Sequence, residues 1–138
     1  GASQVDDFVF TGVVKHLTKS IGDPVDFNFY GFPVVVNVGD TGEEVAAKVK
    51  LKLDAAAGEG RVFNSVAHGA TLDIIQVSYT DYQPHILPPL SQYTLKVTQA
   101  QSSPAKPGYG SWVRIGTQTL TLDGSAAPVT LFYFKREA

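Results

Sequence analysis

The chain of 138 residues contains no cysteine. Disulfides, thiolate zinc sites and cysteine nucleophiles are thereby excluded, and folding has to rest on the apolar core. Long apolar runs are missing too. None approaches the roughly 18 residues of a membrane span, and the N-terminus lacks a charged-then-apolar leader, so the chain reads as soluble, without membrane insertion. Nor is there an excess of charge of one sign. With 11 basic and 13 acidic side chains and a formal net charge of −2, nothing points to nucleic acid or to a polybasic membrane-binding surface. The opening Gly1-Ala2-Ser3 reads as the scar of a removed tag, leaving residues 4–138 as a single structural domain.

Catalytic spacing is also absent. His16, His68 and His85 show no paired metal-ligand spacing and fall on an expected strand, a turn and a proline loop, as polar surface residues. There is no G-x-S-x-G elbow and no phosphate-cradling glycine loop. "GYGSWV" reads as a tip between strands. Glu43-Glu44 is explained by a helix start, and Asp6-Asp7 is expected to open a strand facing water. The sequence therefore points to no enzyme, no metal and no cofactor. Tyr109 with Trp112, and Tyr79 with Tyr82, are aromatic groupings able to stack on sugars, which keeps a receptor- or carbohydrate-binding module open as an alternative.

What is present is β grammar. Val5 to Leu17 and Val25 to Tyr30 carry β-branched and aromatic residues between turn signals. Tyr30-Gly31-Phe32-Pro33 reads as a tight turn leading into "VVVNV", so these strands should form a hairpin. Strands also follow from "RVFNSVAHG", "TLDIIQVSYT", "YTLKVTQAQ", "SWVRIGTQTLTL" and "PVTLFYF". Phe8-Val9-Phe10 and Leu131-Phe132-Tyr133-Phe134 are apolar on both faces. Such strands are either central and covered twice or meet another subunit, and the short helix favours the second.

One helix interrupts this pattern. In "NVGDTGEEVAAKVKLKLDAAAGEG", Asp40 or Thr41 can cap the start, with Glu43 or Glu44 closing a capping box. Val45, Ala46, Val49, Leu53 and Ala56 form one stripe, Glu44/Lys48 and Lys50/Asp54 make i,i+4 pairs, and Gly58 and Gly60 end the helix. The expected fold is α+β, mainly β: a curved antiparallel sheet, sandwich or partly open barrel with one packed helix at about 42–57.

"DYQPHILPPLS" has three prolines and cannot be an interior strand. It places Tyr82, Ile86, Leu87 and Leu90 on a stiffened loop, a candidate docking arm. The other reading has Ile86 and Leu87 folding back over their own core.

From "DFNFYGFPVVVNVGDTGEEVAAKVK" through the returning hairpin that ends at Tyr79, the chain resembles a module of bacteriophage contractile-tail proteins, sheath and baseplate components in particular. In that module a hairpin strand, here Val34 to Val38, meets a G-D-T corner, here Gly39-Asp40-Thr41, followed by a V-A-rich helix and a short hairpin. The resemblance implies a non-enzymatic virion structural protein of the tail or baseplate. Its implied partners are other copies of itself, in a ring-like homo-oligomer, and other phage tail proteins. It would be soluble in the host cytoplasm before assembly.

Overall fold

The computed structural model describes residues 1–108. Tyr109, Trp112 and the strands expected from "SWVRIGTQTLTL" and "PVTLFYF" lie outside the described residues. Those that are described form seven strands and one helix: β1 (Val5–Thr11), β2 (Pro24–Phe29), β3 (Phe32–Asn37), α1 (Gly42–Gly58), β4 (Phe63–His68), β5 (Ile74–Tyr79), β6 (Leu90–Gln92) and β7 (Leu95–Ser103). Five strands make one antiparallel sheet in the order β4-β5-β1-β7-β6, and β2-β3 is a separate two-stranded ribbon. The fold is α+β and mainly β, and the sheet is not closed into a barrel.

Alternation along the strands builds the core. Phe8 and Phe10 of β1, Ile75 and Val77 of β5, and Leu95 and Val97 of β7 are all buried on one face. The ribbon packs on that face through Phe29, whose ring meets Phe8 edge-on at 5.1 Å and stacks on Phe10 at 5.7 Å. The ribbon's turn is Tyr30-Gly31, with both φ values positive at 47° and 96°. That matches the right-handed twist of a two-residue hairpin.

The helix follows its sequence signals closely. Thr41 is the N-cap, accepting from the Glu44 amide at 3.4 Å, while the Glu44 carboxylate takes the Thr41 N–H at 2.9 Å. Val45, Ala46, Val49, Leu53 and Ala56 are the buried stripe, as expected. Gly42 is required at the start, because a Cβ there would lie 2.3 Å from the Phe10 carbonyl oxygen. At the other end the Arg61 N–H bonds to the Ala56 carbonyl and Gly60 N–H to Ala57, with Gly60 at φ 71°, a left-handed cap.

Several expectations are corrected. Glu44 is occupied by the cap, so Lys48 bridges to Asp40 at 2.5 Å and to Asn37 at 2.7 Å instead; Lys50 pairs with Asp54 as expected. β1 stops at Thr11, because Gly12 turns with φ 93° against the Thr94 carbonyl, and His16 therefore sits in irregular chain. His68 is the last residue of β4 rather than a turn residue. β1 lies between β5 and β7 in the sheet, with Phe8 and Phe10 on the core side and Val5, Asp7 and Val9 on the opposite face, only half-buried. Ala2 and Lys106 exchange two backbone bonds at 2.8 Å.

The ribbon has two unlike edges. On β2 the Asn28 N–H and C=O are both taken by the Gln92 side-chain amide, at 2.9 and 2.8 Å, and the Tyr93 hydroxyl donates to the Asp26 carbonyl at 3.0 Å. On β3 only Asn37 has such cover among the described residues, its N–H taken by the Asp40 carboxylate at 2.9 Å and its C=O by the Asp40 N–H at 3.0 Å.

Candidate functional site

The loop between β5 and β6 carries three of the four candidate contact residues, Tyr82, Ile86 and Leu87, and leads into the fourth, Leu90. Its three prolines restrict the chain, but what holds its position is a polar cluster under it. Asp6, on the core side of β1, is fully buried. This corrects the expectation that Asp6-Asp7 faces water: alternation sends adjacent residues to opposite faces, so only Asp7 lies on the outer side, where Gln76 donates to it at 3.0 Å.

Burial of a carboxylate requires donors, and three supply them. Gln4 donates to both carboxylate oxygens, at 2.9 and 3.0 Å. The Tyr79 hydroxyl donates at 2.7 Å and the Gln99 amide at 2.6 Å. Gln4 and Gln99 then reach the loop. Both donate to the His85 carbonyl, at 2.7 and 2.8 Å, while Gln4 accepts from the His85 N–H at 2.9 Å and Gln99 from the Leu87 N–H at 2.8 Å. The Tyr30 hydroxyl donates to the Pro88 carbonyl. The His85 ring stacks on the Tyr79 ring with centroids 3.9 Å apart, and its Nε2 lies 2.7 Å from the Asp81 carboxylate. That hydrogen bond holds the Asp81 carboxyl below its usual range. Burial, then the bond and charge of Asp6, push the Tyr79 phenol well above its usual value.

These anchors divide the candidate residues. Ile86 lies between the pinned backbones of His85 and Leu87 and is 91% exposed. Tyr82 is 45% exposed, its ring against Gly1 and Gly108. Leu87 and Leu90 are half-buried against the core. Leu90 belongs to β6, a short edge strand rather than loop. Tyr79 is not a stacking platform for a sugar, because its ring is buried and its hydroxyl committed to Asp6. Tyr109 and Trp112 lie outside the described residues.

Sequence reasoning missed Gln4, Asp6 and Gln99. Two glutamines and an acid at inward positions of β-alternating segments were the available signal.

The described residues bring no three histidine, cysteine, aspartate or glutamate side chains together as metal ligands. The geometry is that of a supporting scaffold, a mainly β domain that holds a stiff loop outward. A family model described as GP11 baseplate wedge protein matches residues 1–138, and the chain belongs to that family. It is thus a structural protein of a phage baseplate, which agrees with the baseplate side of the resemblance read from the hairpin, corner and helix.

Proposed function

We propose that the chain is a non-enzymatic building block of the baseplate wedge, working by self-association into a ring-like oligomer and by contacts with neighbouring tail proteins. Before assembly it is soluble in the host cytoplasm, and afterwards it resides in the virion tail. Contact with a neighbour runs through the proline loop, with Ile86 as the apolar anchor and Tyr82 beside it. Leu87 and Leu90 hold the loop from below.

The observation that carries this reading is the exposure of Ile86 between two pinned residues. An isoleucine held out in one conformation loses little further freedom on docking, and pre-organised contacts of this kind bind more tightly for the same area. The test is Ile86→Asp in the phage. The variant chain should keep its thermal midpoint within a few degrees and fail to enter baseplates, as scored by mass spectrometry of purified particles. Normal incorporation would refute the docking role.

A further inference from the structure

The β3 edge and the neighbouring side of α1 form a second surface with its own chemistry. The two-residue turn makes Phe29 and Phe32 a hydrogen-bonded pair, so the register Phe27↔Val34 and Val25↔Val36 repeats that pattern. Pro33, Val35 and Asn37 therefore direct their backbone groups away from β2. The same alternation on the other strand is seen directly in the outward bonds of Asn28 and Asp26. The Asn37 N–H is taken by Asp40 at 2.9 Å, and proline has no N–H to offer. The Val35 N–H and C=O have no partner among the described residues.

A groove of about 500 Å³ runs beside this edge, lined by Val34, Val35 and Asn37 on one wall and by Lys48, Leu51, Lys52 and Ala55 on the other. Val34 and Val35 point to opposite faces of the ribbon, so a groove touching both follows the strand's edge. The helix residues recur at i, i+3, i+4 and i+7, which is a second stripe beside the buried one. Val35 is 58% and Leu51 71% exposed. Lys52 makes no ion pair among the described residues, and Lys48 has only Asp40, so the groove carries a net positive charge.

We propose that this groove receives an extended segment of a neighbouring protein, carrying apolar and acidic residues in alternation, as an added strand on β3. Its backbone pairs with Val35, its apolar side chains lie against Leu51 and Ala55, and a carboxylate meets Lys52. Main-chain pairing supplies affinity, and the groove walls and charge supply selection. Because Pro33 and Asn37 bound the edge that is unpaired among the described residues, the added pairing spans only about three residues. This inference rests on the assembly reading for the source of the partner. Its chemistry is testable without particles, so it can fail while the Ile86 result stands, and the reverse.

The probe is a blocked peptide of alternating valine and glutamate, titrated at low salt into the isotope-labelled 138-residue chain and followed by NMR. Shifts should map to Val34, Val35, Leu51 and Lys52, and exchange of the Val35 amide should slow by about tenfold or more. Substituting lysine for glutamate in the peptide should weaken binding by about fivefold or more. Lys52→Glu, on the exposed helix face, should reverse that preference. Binding that leaves Val35 exchange unchanged, shifts that map elsewhere, no binding at all, or indifference to peptide charge would each overturn the proposal.

Discussion

Replacing Asp6 by asparagine tests whether the buried carboxylate organises the proline loop. Asparagine matches the volume but carries a donor at one end, whereas Asp6 only accepts. Its Oδ2 receives Tyr79 and Gln99, and both oxygens receive Gln4. Whichever way the new amide is turned, its NH2 faces at least one of these donors. Turned toward Oδ1 it opposes Gln4; turned toward Oδ2 it opposes Tyr79 and Gln99. Hydrogen bonds to a charged group contribute about 1.5–3 kcal/mol, and a buried donor left alone costs about 1–3 kcal/mol. Removing the charge returns part of its desolvation cost, since no basic side chain pairs with Asp6 among the described residues. The expected net loss for Asp6→Asn is about 2–3 kcal/mol. Urea titration of the full chain should show it as a lower midpoint with unchanged slope. Amide exchange should also quicken at His85 and Leu87, the residues that Gln4 and Gln99 hold. A loss under about 0.5 kcal/mol, or unchanged exchange at both amides, would refute the claim that this cluster positions the loop.

Leu87→Asp, unlike its neighbour Ile86→Asp, should destabilise the isolated chain by about 2–5 kcal/mol because Leu87 packs on the core, and thermal unfolding of the two variants side by side checks the division. Thr41→Ala should cost about 1 kcal/mol at any salt concentration, whereas the loss from Asp40→Ala should shrink as salt screens the Lys48 bridge, both read by denaturant titration. Since the Tyr79 phenol is raised in the folded protein, its stabilisation is complete below the ordinary tyrosine value of 10.0 and is lost as pH rises beyond it. Unfolding midpoints measured across that range should fall more steeply for the parent chain than for Tyr79→Phe.

Local features were the legible ones. The Tyr30-Gly31 turn, the Thr41 cap, the buried stripe and the glycine stop all depend on residues within a few positions of one another, where spacing and backbone preference act directly. The proline loop was legible for the same reason. The turn between β6 and β7 was not. It uses Tyr93 and Thr94 at φ 53° and 63°, residues that rarely adopt the left-handed region, and no glycine or asparagine marks it. Distant partners hold it instead: Tyr93 through the Asp26 carbonyl and Thr94 through the Val13 carbonyl at 2.6 Å. The burial of Asp6 was hidden in the same way, since its donors come from positions 4, 79 and 99 and meet only once β1 lies between β5 and β7. For the candidate site, proline content located the loop, but the opposite facing of Ile86 and Leu87 depends on those same long-range bonds.

The pairing of Ala2 with Lys106 has a mechanical consequence. β1 and β7 run antiparallel, so this bridge lies where both strands have the same end of the sheet beside them. A pull on Ala2 against Lys106 opens the ladder from that end, loading one hydrogen bond at a time, and little force is needed. A pull delivered at Ile86 enters through the bonds of His85 and Leu87 to Gln4 and Gln99, which carry it together and sit beside the central strand. The domain is therefore anisotropic under load, compliant at the Ala2–Lys106 end and stiff at the loop. A neighbour docked on that loop, as proposed, would load the domain along its stiff direction.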